Sequence, residues 1–153
     1  METSFLLPEI DAPESAGFWE GTAAGELRVQ RCAECGAARM PPRPMCPQCR
    51  SLDARWEVTS GRGRIWSFVI AHPPLLPAYA EEAPYNVVVV ELAEDPKIRF
   101  VGNVVASEAA RLDSVEPHSL AIGHAVEVVF PPPIEGVVLP RWRLLADGEA
   151  GAA

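Results

Sequence analysis

The chain has 153 residues and a formal net charge of −8, and 48% of its residues are hydrophobic. This length predicts one ordinary domain or two small ones. No apolar run approaches the roughly eighteen residues that a membrane span needs, so we expect a soluble globular protein. Its sixteen prolines favour short strands and rigid loops over long helices.

Residues 1–25 form the first predicted unit, an N-terminal helical segment. Asp11 and Pro13 suit the start of a helix, because Asp can cap it and Pro fits its first turn. Phe18 and Trp19 follow within the same short helix. So short a helix is marginal alone, and we therefore expect these two side chains to dock on the chain itself or on a partner.

The second predicted unit, residues 26–55, contains all four cysteines of the chain: Cys32, Cys35, Cys46 and Cys49. They form two Cys-x-x-Cys pairs in turn-prone surroundings. Two such knuckles can complete a tetrahedral thiolate shell around Zn²⁺ at Zn–S distances of about 2.3 Å. Four protein ligands leave no coordination position for water, so the spacing predicts a structural zinc site in a zinc ribbon.

Other uses of the four cysteines stay open at this point. Disulfides are disfavoured because the first ten residues lack the basic segment and apolar run of a signal peptide, and we expect a reducing, cytoplasmic location. A thioredoxin-like redox pair needs one motif at a strand-to-helix junction, not two in series. Ligand count does not separate zinc from a rubredoxin-type iron site, since both metals accept tetrahedral thiolates.

Residues 56–146 form the third predicted unit, and 147–153 are expected to be a frayed tail. The unit contains about five β-rich runs bounded by Gly, Pro or acidic turn residues. Such runs fit a five-stranded Greek-key barrel of the OB type, although the pattern alone does not distinguish it from an SH3-like barrel. The expected fold class is therefore mainly β. The predicted runs are one stretch over residues 56–70, interrupted at Gly61-Arg-Gly63, and further runs at 85–92, 97–105, 124–130 and 137–145.

No catalytic constellation is recognisable in the sequence. With all four cysteines assigned to metal, no thiol nucleophile remains. His72, His118 and His124 have no Ser or Cys at a motif spacing, and the carboxylates form no paired motif. Gly61-Arg-Gly63 is better explained by a turn or bulge than by a phosphate loop. We therefore expect no catalytic residues and no activity from this chain alone.

The charge is distributed unevenly along the chain. Residues 26–64 are rich in arginine, whereas the barrel from Ile65 onward is strongly acidic. Ribbons and OB folds often bind nucleic acid, but that needs net positive charge, so nucleic acid is not favoured. The arginines could instead meet an anionic ligand or an acidic partner, or be solvated and paired locally.

Three stretches together resemble a known family. They are Gly25-Glu-Leu-Arg-Val-Gln-Arg-Cys32, Met40-Pro-Pro-Arg-Pro-Met-Cys46 and Gly123-His-Ala-Val-Glu-Val-Val-Phe130. They are similar to the zinc-ribbon/OB-fold proteins, long described as a domain of unknown function, that accompany thiolase-superfamily enzymes. The resemblance spans roughly residues 18–145.

This resemblance implies a short helix, a rubredoxin-like zinc ribbon and an OB barrel in a non-catalytic accessory subunit. The implied partner is a thiolase-superfamily enzyme that acts on a CoA thioester. A sterol-carrier-type thiolase-like aldolase, which cleaves a steroid side chain by retro-aldol chemistry, is favoured. The alternative is a stand-alone module that binds acyl-CoA or, less favoured, single-stranded nucleic acid.

Two sets of candidate residues accompany the metal ligands. Arginine forks match phosphate oxygens, and the candidates for CoA phosphate contacts are Arg39, Arg43, Arg62 and Arg64. Rigid proline-rich loops lose little entropy on binding, although they could also fold over their own barrel. With the aromatic pair of the first helix, they give the candidates for partner contacts: Phe18, Trp19, Leu75, Leu76, Tyr79 and Ile134.

Overall fold

The computed structural model describes residues 5–146, so the predicted tail at 147–153 lies outside the described residues. The expected mainly β architecture is confirmed, with a short helix before two sheets of three and five strands. No helix in the described range is long and apolar enough to cross a membrane. The elements in chain order are α1 (Ala16–Ala23), β1 (Arg28–Cys32), β2 (Ala38–Arg39), β3 (Ala54–Val58), β4 (Arg62–Ala71), α2 (Pro77–Ala80), β5 (Tyr85–Leu92), β6 (Arg99–Gly102), a 3₁₀ turn (Pro117–Ser119), β7 (Ala125–Val129) and β8 (Arg141–Leu144).

Helix α1 docks on the chain itself through Phe18. The helix begins after Ser15, a little later than the predicted start, because residues 12–15 form a turn closed by the Ser15 N–H on the Ala12 carbonyl at 2.9 Å. Phe18 is buried and its ring stacks on that of Phe100 with 6.2 Å between centroids. The helix thereby joins the ribbon to the barrel core.

The ribbon is built on an antiparallel sheet in the order β2-β1-β3. β3 pairs with β1 along its whole length, from Arg28 opposite Val58 to Cys32 opposite Ala54. The ribbon sheet therefore extends to Val58, past the expected boundary at residue 55. The connection to the barrel is short, and the backbone N–H of Thr59 donates to the Leu27 carbonyl at 2.9 Å.

The barrel sheet has the order β6-β5-β4-β7-β8, and its four strand pairs are antiparallel. Three consecutive strands, with the fourth returning beside the first, form a Greek key. A parallel bridge between Val104 and Trp142 then joins the chain after β6 to β8. The Val105 N–H donates to the Trp142 carbonyl at 2.8 Å. This closure corresponds to the predicted OB-type barrel rather than the SH3-like alternative.

The core lies inside the barrel and extends to α1. Ile65, Val88, Val90 and Trp142 are almost fully buried within it. β5 alternates strictly between buried and half-buried positions, so Val88 and Val90 point inward and their neighbours lie on the outer face.

Each of the two long loops contains a short helical element. The loop after β4 contains the one-turn helix α2, where the Tyr79 ring lies 5.0 Å from that of Phe5 in an edge arrangement. The loop after β6 contains a short 3₁₀ turn at Pro117–Ser119. α2 packs its tyrosine against residues at the start of the described chain, a contact that no local pattern reveals.

Candidate metal centre and binding surfaces

The two cysteine knuckles share one backbone design. Gly36 and Arg50 each follow the second cysteine of a pair and have positive φ angles of 74° and 65°. The Gly36 N–H donates to the Cys32 carbonyl at 3.1 Å, and the Arg50 N–H donates to the Cys46 carbonyl at 2.8 Å. These tight turns aim both sulfurs of each knuckle at one point.

The four sulfur atoms form a compact cluster, with all Sγ atoms within 4.8 Å of one another. The Sγ atoms of Cys32 and Cys49 are 3.5 Å apart, and those of Cys35 and Cys46 are 3.6 Å apart. A tetrahedral Zn²⁺ site places its sulfurs about 3.8 Å apart, whereas a disulfide needs about 2.05 Å. The cysteines are free rather than disulfide-bonded, and the donor set fits one tetrahedral metal ion.

Backbone N–H groups favour thiolates in this cluster. The Cys35 N–H points at the Cys32 sulfur and, with that of Glu34, lowers the pKa of Cys32 to about 6 despite burial. The Cys49 N–H likewise lowers the pKa of Cys46. The Ser51 N–H favours the Cys49 thiolate, but removal from water and the neighbouring sulfurs raise its pKa to about 12. The neighbouring sulfurs thus oppose ionisation of all four cysteines, and a cation bound among them would offset that repulsion.

Ion pairing ties one knuckle to the ribbon sheet. Arg31 donates from Nε and Nη2 to the two carboxylate oxygens of Glu57, both at 2.7 Å, and from Nη1 to the Gly36 carbonyl at 2.7 Å. The Arg31 guanidinium lowers the pKa of Glu57.

The four cysteines could supply all the ligands of a tetrahedral metal ion. The ion would then stabilise the ribbon and have no open coordination position.

Arg39 differs from its expected role in binding CoA phosphates. Only 7% of its surface is exposed, and Nε donates to Oε1 of Gln30 on the neighbouring strand at 2.6 Å. The same oxygen accepts the backbone N–H of Arg43 at 2.8 Å. Arg39 therefore organises the ribbon interior and is not available to a surface ligand. The Arg43 side chain is exposed.

Arg62 and Arg64 come together in a groove of about 310 Å³ at one end of the barrel, beside Glu91 and Leu145. The Arg64 side chain is exposed, and its Nη1 donates to the Gly123 carbonyl at 3.1 Å. A second depression of about 410 Å³ adjoins the groove on the other side of Arg64. Two of the four candidate arginines thus share one surface, and Arg43 lies on the ribbon.

The six candidate partner contacts differ in their exposure to solvent, from exposed through half-buried to buried. Leu76 is 57% exposed, and Trp19 is half-buried between two small cavities of about 200 and 230 Å³. Phe18, by contrast, is buried in the core, so its expected contact with a partner does not fit this position. The remaining three are half-buried at the surface: Leu75, Tyr79 and Ile134.

Two structural side chains were missed by sequence reasoning. Gln30 accepts the bonds described above, and Asn86, on β5, is 1% exposed. The Asn86 Nδ2 donates to the Val104 carbonyl at 2.8 Å, and the Val104 N–H donates back to Oδ1 at 2.6 Å. The sequence did contain a signal for Asn86, which is a polar residue in an otherwise apolar strand. A buried amide is nearly always hydrogen-bonded, so its position predicts a structural hydrogen bond.

Within residues 5–146, the group of side chains that could hold a metal ion consists of the four cysteines. The three histidines are exposed: His72 follows β4, and His118 and His124 lie in the connection between β6 and β7. His124 accepts the Ala121 N–H at Nδ1 at 3.3 Å. Among the described residues, the histidine rings make no hydrogen bond to a serine or cysteine side chain.

Two family models match the chain, one over the ribbon and one over the barrel. The model described as "ChsH2, rubredoxin-like zinc ribbon domain" matches residues 19–53, and "ChsH2, C-terminal OB-fold domain" matches residues 56–131. Together they cover the ribbon and most of the barrel.

Curated relatives fall into two groups. The chain is 35% identical over 146 residues to the "3-oxo-4,17-pregnadiene-20-carboxyl-CoA hydratase alpha subunit" of Mycobacterium tuberculosis, covering 95% of this chain and 41% of that protein. A probable enoyl-CoA hydratase alpha subunit of Thermomonospora curvata is 34% identical, with 40% of its length covered. The chain thus spans about two fifths of these hydratase subunits. It is also 33% identical to a "DUF35 domain-containing scaffold protein" of Methanothermobacter thermautotrophicus, covering 68% of this chain and 71% of that protein.

Solved structures include a close neighbour. A chain of the structure titled "Ltp2-ChsH2(DUF35) aldolase" superposes with a TM-score of 0.76 at 32% identity, covering 90% of this chain and 98% of that one. A DUF35-family protein from Sulfolobus solfataricus, at 11% identity and a TM-score of 0.58, shares the fold. On these matches, and on the ribbon and barrel described above, the chain belongs to the ChsH2 (DUF35) family of zinc-ribbon/OB-fold proteins.

Proposed function

We propose that this chain is a non-catalytic accessory subunit that binds and completes a thiolase-like acyl-CoA enzyme. The enzyme would be a retro-aldolase or thiolase of steroid or lipid side-chain catabolism. The observation that carries the proposal is the 32% identity to a chain of an aldolase structure named for two proteins, with 98% of that chain covered. The closed four-cysteine cluster supports the same conclusion, because the partner would then supply the nucleophile or base.

The groove of Arg62 and Arg64 is the proposed contact for the CoA thioester. The Arg64 side chain is exposed between two adjoining depressions, so its guanidinium group is accessible to a phosphate of the cofactor. Arginine suits this contact because its fork can donate two parallel hydrogen bonds. Exposed Arg43, on the ribbon, would contact CoA only where the partner brings the two surfaces together.

The proposed enzyme-facing surface includes Trp19 and Leu76. Leu76 is well exposed at the start of α2, and Trp19 is half-buried between two cavities that could accept side chains of the enzyme. The other candidates for this surface are half-buried: Leu75, Tyr79 and Ile134. Aromatic and aliphatic anchors of this kind carry much of the binding energy in protein interfaces.

Co-purification from the native host tests the proposal. Tagged chain should recover a thiolase-fold enzyme at near one-to-one stoichiometry, identified by mass spectrometry. The isolated chain should not turn over an acyl-CoA, whereas the complex should cleave or condense one. Recovery of the chain without any thiolase-fold protein would refute the accessory role.

A stand-alone acyl-CoA-binding module is the second candidate, favoured by the arginine groove itself. Calorimetric titration of the isolated chain with a CoA thioester distinguishes the two. The stand-alone module predicts binding that Arg64→Ala weakens by about tenfold, as expected for loss of a phosphate contact, while exposed Arg55→Ala on the ribbon has no effect. The accessory subunit predicts weak binding alone and strong binding in the complex.

A further inference from the structure

The half of β4 that follows Ile65 has an open edge. β4 pairs with β5 along its length, but it pairs with β7 only over Arg62–Arg64. The last backbone bonds on that side join Ile65 to Gly123 and His124. Among the described residues, only those of β5 form backbone hydrogen bonds with residues 66–71. On the side away from β5, alternate N–H and C=O groups of this segment therefore have no backbone partner among the described residues.

This edge is apolar and uncharged. Residues 66–71 read Trp-Ser-Phe-Val-Ile-Ala, without a charged residue or a proline. Val69 is 61% exposed. Trp66 is 47% exposed, but the guanidinium of Arg99 on β6 lies over its ring at 3.9 Å, so that ring is directed across β5 and not toward the open edge. Val69 lies opposite half-buried Val87, so the apolar surface continues onto β5. Exposed edges of this composition readily pair with another strand.

The ribbon has an open edge of a different kind. β3 pairs only with β1, and it carries Arg55 and Glu57 within its five residues. Charged side chains along an edge are a common protection against unwanted pairing. Residues 66–71 contribute no charged side chain of their own, and Arg99 reaches Trp66 only from the β6 side of the sheet. The open edge is therefore uncharged, which is expected of an edge that another strand covers in the functional assembly.

We propose that residues 66–71 accept an extended strand of the partner enzyme, which extends the five-stranded barrel sheet beside β4. A strand fits better than a helix, because only an extended segment satisfies a row of backbone groups and also sets alternate apolar side chains beside Val69. Two relatives are named alpha subunits and the solved relative is named with a second protein, which favours a different chain over a second copy. The inference rests on the proposed function, since it takes this partner to be the thiolase-like enzyme.

Matched lysine variants test the edge by quantitative co-purification. Val69→Lys places a charge at the open edge, whereas Val101→Lys changes a residue that is 74% exposed on β6, two strands away. Val69→Lys should lower recovery of the thiolase-fold enzyme by about tenfold or more, as loss of an interface anchor does, and Val101→Lys by less than about twofold. Both exposed positions should leave the melting temperature nearly unchanged.

Amide hydrogen exchange of the wild-type complex gives an independent measurement. Alternate amides in residues 66–71 should slow by about tenfold or more when the enzyme binds, while amides of β3 should not. Strand addition is refuted if Val69→Lys binds as wild type, if Val101→Lys loses as much binding, or if residues 66–71 gain no protection. Those results leave the accessory role intact, whereas failure of the wild type to recover a thiolase-fold enzyme refutes both. A homodimer that Val69→Lys dissociates would assign the edge to a second copy and refute the proposal for the enzyme.

Discussion

Asn86 and Val104 are joined by two hydrogen bonds, so that one buried amide satisfies both backbone groups of the other residue. The Asn86 Nδ2 donates to the Val104 carbonyl at 2.8 Å, and the Val104 N–H donates to Oδ1 at 2.6 Å. Val104 also forms the parallel bridge to Trp142. The amide therefore takes the place of a strand partner at the seam where the barrel closes.

Asn86→Ala should lower the free energy of unfolding by about 2–4 kcal/mol, because it leaves a buried N–H and a buried C=O unpaired. For a chain of this size, that corresponds to a fall of roughly 5–12 °C in the melting temperature. Asn103→Ala is the matched control, since its Nδ2 makes one bond, to the Asn86 carbonyl, from a half-buried position. Equal losses from the two variants would contradict the special role of Asn86.

Cys32→Ser, or a strong chelator, should unfold the ribbon. Metal binding to such sites contributes about 10–16 kcal/mol, comparable to or larger than the whole stability of a typical domain. Metal content by mass spectrometry and melting by circular dichroism should both fall. Ala33→Ser, at an exposed position of the same knuckle, should leave both unchanged. Full metal content in Cys32→Ser would show that the four sulfurs are not the ligands.

Gly17→Ala should destabilise the docking of α1. An added Cβ would lie 2.1 Å from Nε1 of Trp56, so the indole ring would have to move. Overpacking of this kind costs about 1–3 kcal/mol. Gly21→Ala in the same helix meets chiefly the flexible stem of Arg28 at 2.7 Å and should cost less. A thermal melt that ranks Gly21→Ala as the more damaging change would contradict this account.

The Arg31–Glu57 pair should contribute to stability only above acidic pH. Arg31 lowers the pKa of Glu57 below its ordinary value of 4.5. A carboxyl whose folded pKa is lowered stabilises the fold above its unfolded pKa, and that stability is lost as pH falls through the folded value. Melting of wild type and Glu57→Gln should thus differ by a few degrees from pH 8 to 5. The difference should shrink as the pH falls below 4.5 and disappear once the pH is below the lowered pKa of folded Glu57. A difference that persists at low pH would rule out the ion pair as its cause.

Local signals in the sequence predicted the ribbon and most strands correctly. A Cys-x-x-Cys pair brings its two sulfurs together within one tight turn, so its geometry depends on local sequence. The predicted metal site is confirmed, because the four sulfurs lie in one cluster. Likewise, the run from Tyr85 to Leu92 predicted β5 with its observed bounds, because apolar residues bounded by turn residues report a strand directly.

Long-range pairing explains what could not be predicted. The burial of Arg39 depends on Gln30 lying opposite it across the ribbon sheet, a register that no local pattern gives. Phe18 could have docked on the chain or on a partner, and only the position of Phe100, far along the sequence, decides between them. Arg50 adopts a positive φ that sequence reasoning reserves for glycine, because the knuckle requires it.

Helix α1 limits how far the two halves of this protein can be exchanged with those of its relatives. The Phe18 ring stacks on Phe100 of the barrel. The indole ring of Trp56, on the ribbon sheet, packs against Gly17, where a larger residue would not fit. A chimaera that transplants the ribbon alone would leave one of these contacts without its counterpart. The smallest piece that can be grafted onto another barrel is therefore the helix with the ribbon, together with an aromatic residue at the position of Phe100.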